Sequence, residues 1–132
     1  MDAQPRLTLT SVTVTAPAPR ELARFYARLL GREVTAEEFA RAGEPPEAGW
    51  AQIRGGDGPT LNFEYEAQWT EPRWPSRPGG QHATQHLDIY VDELEAAVRH
   101  AVDAGARLAE FQPQHDVRVL FDPAGHPFCL FT

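Results

Sequence analysis

The chain has 132 residues, 42% hydrophobic and 23% charged, with a formal net charge of −7 and a pI near 5.1. That acidity argues against nucleic acid and anionic membrane surfaces as partners, since both need a basic face, and no apolar run approaches the ~20 residues of a membrane span. The single cysteine, Cys129, excludes an internal disulfide; with an N-terminus lacking the basic start and apolar stretch of a signal peptide, it leads us to expect a cytoplasmic globule.

Along the chain, Val12 and Val14 alternate with Ser11, Thr13 and Thr15, which predicts a strand with one apolar face. Pro19 suits the first turn of a helix. Leu22, Phe25, Tyr26, Leu29 and Leu30 then form one apolar stripe, and Gly31 suits a left-handed helix end. Further strands are expected over 33–35, 50–54 and 60–66, with a short helix within 35–49 ahead of a proline-rich loop. Glu37, Glu38, Glu44 and Glu47 read as a solvated acidic stretch. Residues 67–84 carry no period and read as a connector. A second strand opens at His86, with Leu87, Ile89 and Val91 on its apolar face and His86, Asp88 and Tyr90 on the other. Asp92 and Glu95 read as a capping box for the next helix, whose Leu94, Ala97, Val98 and Ala101 face inward and which Gly105 ends. Strands at 106–110, 117–121 and 127–131 follow, the last two joined by the turn DPAGH, which Asp122 caps with its side chain.

One unit therefore occurs twice. SVTVTAPAPRELARFYARLLG (11–31) and HLDIYVDELEAAVRHAVDAG (86–105) share the order strand, helix, glycine, offset by 86 − 11 = 75 positions. Each continues into three shorter strands. The fold class is α+β: two β-α-β-β-β modules, about 7–66 and 85–131, in a single domain over 1–132.

The run FYARLLG…LNFE…HLDIYVDELEAAVRHAVDAGA…FDPAGHPFCLF resembles the vicinal oxygen chelate superfamily of glyoxalase, bleomycin-resistance and extradiol-dioxygenase proteins, most closely its glyoxalase-like members. The resemblance covers about 7–131. It implies that curled mixed sheets form a cup with helices packed outside, and that the protein is a homodimer. The strand faces opposite the apolar ones then line the cup: Ser11, Thr13, Asn62, Glu64, His86, Asp88 and Tyr90, joined by Trp50, Gln52 and Arg54. Trp69 and Trp74 of the connector either cap the cup or seal a junction.

Metal-dependent members of that superfamily place ligands at the start of each module's first strand and within its last. His86 matches one such position. Its counterpart is Ser11, a poor metal ligand. The first module's last strand offers Glu64, or Asn62 if the register slips by two, and Cys129 stands where relatives carry glutamate. His86 and Glu64 are thus the candidate catalytic pair, and His86, Glu64 and Cys129 the candidate metal set, for zinc, iron, manganese or nickel. Because that set is incomplete, the favoured reading is a binder without cofactor that holds a small aromatic or other organic ligand in the cup, as a drug-sequestering resistance protein does. The alternative is a metal-dependent lyase, isomerase or dioxygenase. His82, His100, His115 and His126 are read as solvated.

Overall fold

The structure is a computed structural model and describes residues 4–132. Its strands and helices run β1 (Ser11–Ala16), α1 (Pro19–Leu30), β2 (Ala36–Glu38), β3 (Trp50–Ile53), β4 (Thr60–Tyr65), β5 (Leu87–Tyr90), α2 (Leu94–Ala104), β6 (Arg107–Leu108), β7 (Val117–Phe121) and β8 (Pro127–Phe131). They form two four-stranded sheets of the same design, ordered β1-β4-β3-β2 and β5-β8-β7-β6, and neither sheet closes on itself. In each, the first strand runs parallel to the last and the other pairings are antiparallel. This is the doubled β-α-β-β-β unit. No helix among the described residues is long and apolar enough to cross a membrane.

Helix α1 begins with Pro19 at its first turn and ends at Gly31, whose φ of 64° is the left-handed value that spares a Cβ clash. Its stripe buries Leu22, Phe25 and Tyr26. Phe25 and Tyr26 meet edge to face at 4.8 Å, and Tyr26 stacks on Phe63 of β4 while Phe25 reaches Phe128 of β8. The aromatic centre of the core is therefore shared by both modules. Burying each such ring contributes about 1.5–3 kcal/mol. The helices also close each other's ends. Arg28 donates to the carbonyl of Ala104 at the end of α2 at 2.7 Å, and a ring nitrogen of His100 lies 3.0 Å from the carbonyl of Leu29 at the end of α1. Those carbonyls have no partner within their own helix.

Three expectations are corrected. The cap of α2 is Glu93, not Asp92 with Glu95: its carboxylate accepts the N–H of Ala96 at 2.6 Å. The reason is that Val91 still donates to Phe131 in the sheet ladder, which holds the chain extended one residue longer. The strand placed at 33–35 lies at 36–38, where Ala36 and Glu38 pair with Gln52 and Trp50. Residues 35–49 hold no helix; β2 occupies their start, and turns around Gly43, Pro45 and Pro46 carry the chain back.

The modules are joined by a buried carboxylate. Asp122 is 1% exposed. Its Oδ1 accepts the N–H groups of Ala124, Gly125 and His126 at 3.0 Å, which is the expected turn cap. Gly125 supplies the turn's positive φ of 100°. The Tyr26 hydroxyl donates to Oδ2 at 2.7 Å from the other module. His126, expected to be solvated, sets Nδ1 2.7 Å from Oδ2 and Nε2 2.9 Å from the carbonyl of Thr15 in β1. Both ring nitrogens thus face oxygen atoms, one in each module.

Burial, and then the neighbouring Asp122 carboxylate, hold the Tyr26 phenol well above its ordinary ionisation range. An unfolded chain ionises this phenol near pH ~10, before the folded chain does. Its contribution to stability is full below that pH and is lost as pH rises through the folded value. Tyr26→Phe is expected to cost about 1.5–3 kcal/mol at neutral pH, by removing a donor from a charged acceptor, and to flatten the alkaline decline. Urea unfolding at neutral pH and above pH ~10 checks this; an unchanged alkaline decline in the variant would rule Tyr26 out as its source.

Candidate functional site

A hollow of about 800 Å³ opens beside β1. Val12–Thr15 form one wall, the connector from Glu66 to Gln85 forms the cover, and His86 with Leu87 forms the far side. β1 is an edge strand, so residues of both its faces reach the opening. The connector is held over it by local ties. Arg73 donates its N–H to Gln81 at 2.7 Å, with a bridge to His82. Trp69 lines the hollow with its ring 5.0 Å from that of His126. Trp74 turns the other way, stacking on Phe111 at 5.8 Å and meeting Phe121 edge-on at 6.4 Å. Trp69 therefore lies at the hollow, and Trp74 packs the connector against the second module.

His86 stands where the strand alternation put it, at the mouth of β5. Its Nε2 lies 3.1 Å from Asp88 Oδ1. Asp88 is the ladder partner of Cys129, and His86, Asp88 and Cys129 bring their ligand atoms within 4.8 Å of one another. Burial, and then Asp88, push the Cys129 thiol above its ordinary ionisation range. A thiol so placed is a weak nucleophile and must lose its proton before it ligates a metal.

Glu64 does not join this group. The ladder register explains why. In the second module, Asp88 pairs with Cys129 and Tyr90 with Phe131. In the first, Thr13 pairs with Asn62 and Thr15 with Glu64. With the 75-residue offset, Ser11 and Thr13 correspond to His86 and Asp88, Asn62 corresponds to Cys129, and Glu64 to Phe131. The two-residue slip is therefore the register adopted. The first module presents Ser11, Thr13 and Asn62 where the second presents imidazole, carboxylate and thiol.

The cup candidates Trp50, Gln52, Asn62 and Glu64 belong to β3 and β4 of the first sheet. Gln52 Nε2 donates to Asn62 Oδ1 at 2.9 Å. Trp50 has Glu38 on one side and Glu64 on the other as direct ladder partners, and all three border a second hollow of about 450 Å³. Tyr90 borders neither hollow; its ring is 69% exposed and meets Phe131 edge-on. Thr13 lines the larger hollow, while Ser11 pairs with Thr60 at the start of β1.

Several lining residues escaped the sequence reading. Tyr26 sits on the helix stripe and is read as core, which it also is. Glu66 continues the alternation of Asn62 and Glu64, so strand parity points to it. The pair Asp122 and His126, four residues apart around a turn glycine, is a short-range signal for a bound rather than solvated imidazole. His82 carries no such signal, because its place depends on how the connector folds back.

The model of a family described as "Glyoxalase-like domain" matches residues 11–131. No curated protein matches the sequence. A glyoxalase family protein from Enterococcus faecalis has a similar structure, with 21% identity and a TM-score of 0.65 over 95% of this chain and 97% of that one. The fosfomycin resistance protein FosX from Mesorhizobium loti aligns with a TM-score of 0.66 at 12% identity, over 95% of this chain and 90% of that one. The FosX of Listeria monocytogenes, in a complex with manganese(II) and a dihydroxypropylphosphonic acid, aligns with a TM-score of 0.66 at 11% identity, over 94% and 88%. At these identities the structural likeness shows the fold; the match across nearly the whole chain shows the family, and the protein belongs to the glyoxalase-like domain family of the vicinal oxygen chelate superfamily.

Proposed function

We propose that the protein binds a small planar organic molecule in the hollow beside β1 and retains it without turnover, in the manner of a sequestering protein. The carrying observation is the hollow's size and lining. A volume of about 800 Å³ lies in the range of sites for drug-sized ligands. Trp69 offers a ring face, and Thr13, Gln85 and His86 offer a few polar groups to orient what lies against it. The first module carries serine and asparagine, neutral and weak ligands, at the places of His86 and Cys129, which supports binding over metal chemistry. The same reading takes the protein as a homodimer, with Leu7 and Leu9, 89% and 86% exposed ahead of β1, offering apolar surface for the contact.

A second reading rests on His86, Asp88 and Cys129. An imidazole, a carboxylate and a thiol suit zinc better than manganese or iron, and those three residues would hold it. Such an ion, when bound, polarises a substrate oxygen. Uptake requires the Cys129 proton to leave, which burial and Asp88 oppose, so it strengthens as pH rises.

Titration with a panel of planar metabolites and antibiotics, followed by tryptophan fluorescence, tests the first reading. Saturable quenching is expected, with Trp69→Ala weakening the ligand roughly threefold to tenfold; no binder across the panel would remove its support. Alkylation of Cys129 tests the second. Asp88→Asn is expected to speed it, and zinc at ten times its dissociation constant to slow it about tenfold in the native protein but not in His86→Ala. A rate indifferent to zinc would exclude the site. Sedimentation should give twice the 14.7 kDa chain mass, and one chain mass when Leu7 and Leu9 are both changed to Ser; a single-chain mass for the native protein at high concentration would reject the dimer.

A further inference from the structure

We infer that the ligand of the larger hollow is an organic cation with a planar part, and not a carboxylate, phosphate or phosphonate; the inference rests on the ligand-binding reading above. It comes from where the charges lie. All twelve basic residues outside histidine are arginines, and none of them lines the hollow. Many are used elsewhere. Arg20 donates to the carbonyls of Pro46 and Ala48, Arg28 to that of Ala104 and Arg32 to that of Arg54, while Arg24 pairs with Glu37. No residue from the first turn of either helix borders the hollow. The two usual means of holding an anion, a guanidinium fork and a helix N-terminus, are therefore both missing from it among the described residues.

Glu66 is the one side chain of fixed charge in the lining. Its Oε2 accepts the N–H of Gln68 at 3.2 Å, which holds the carboxylate at the lip, and no arginine pairs with it among the described residues. Trp69 follows three positions later, with its ring at the wall. A carboxylate and an indole face together favour a cation: the first by charge, the second by its ring quadrupole. The histidines do not reverse this. The two ring nitrogens of His126 face Asp122 and Thr15, so neither is free to donate to an anion. His86 faces the Asp88 carboxylate at 3.1 Å. His82 is the remaining imidazole in the lining, and glutamines and threonines supply most of the other polar groups. Those groups orient a ligand of any charge, so the discrimination falls to Glu66.

Three acridines of one ring system provide the test: proflavine as the cation, acridine as the neutral form and acridine-9-carboxylate as the anion. Binding is measured by dye and tryptophan fluorescence at about pH 8, above the ordinary histidine range. Proflavine is expected to bind about tenfold more tightly than the carboxylate, with acridine between them. Glu66→Gln should cut that preference to about threefold or less. Glu33→Gln removes the same charge from an exposed site outside the hollow, and should leave the preference intact. A carboxylate that binds as tightly as proflavine, or a preference unchanged by Glu66→Gln, overturns the inference. Tight binding of all three without preference keeps the ligand-binding reading and removes only the charge assignment. No binding of any of the three counts against both.

Discussion

The arrangement of the two modules depends on one buried charge. Asp122 is removed from solvent, and an isolated carboxylate in that position would cost several kcal/mol. It is compensated by three backbone N–H groups of its own turn, by the Tyr26 hydroxyl and by the His126 ring. The hydroxyl comes from the first module. The ring passes the tie back to the first module through the Thr15 carbonyl. Trp69 then rests against the same ring. A single carboxylate thereby fixes helix α1, strand β1 and the tryptophan at the hollow's wall. Removing one of these partners would leave a buried charge short of a donor, which is costlier than the loss of one surface contact.

The sequence repeat explains the shared strand order but not the division of chemistry. Both modules present an open sheet face, and the first pairs Gln52 with Asn62 across its strands. The second leaves an imidazole, a carboxylate and a thiol within reach of one another. Duplication supplies two equivalent scaffolds, and the side chains at matched register positions decide which one carries reactive groups. The register is what shows this, because a strand's period of two makes Asn62 and Glu64 indistinguishable by face alone.

Where local rules govern, the sequence was readable. Pro19 and Gly31 bound α1, the stripe from Leu22 to Leu29 is buried, and β7 and β8 occupy the residues their alternation marks. It was unreadable where distant contacts govern. The cap of α2 moved from Asp92 to Glu93 because Val91 remained in a ladder with Phe131. Residues 67–84 show no period, since their positions are set by Trp74 on Phe111 and Phe121 and by Arg73 against Gln81. The larger hollow lies under that segment, so its existence could not be read from strand faces. The sequence placed His86 at a strand mouth and could not show that Asp88, two residues on, is its nearest carboxylate.

That contact bears on how the candidate site works as a unit. His86 belongs both to the donor group with Asp88 and Cys129 and to the rim of the hollow. Its Nε2 is turned to Asp88, which leaves Nδ1 as the ring atom free to meet a ligand without disturbing that pair. If a metal drew Nε2 and the Asp88 carboxylate together, the ring would become less free to follow a ligand, and the hollow would meet a stiffer rim. A divalent ion held by the Asp88 carboxylate and the Cys129 thiolate would be neutralised by them, so it would act on a ligand in the hollow through the posture of one imidazole and not through net charge. On the two proposed readings both sites share His86, and the raised ionisation of Cys129, which disfavours metal uptake at neutral pH, would favour the organic ligand.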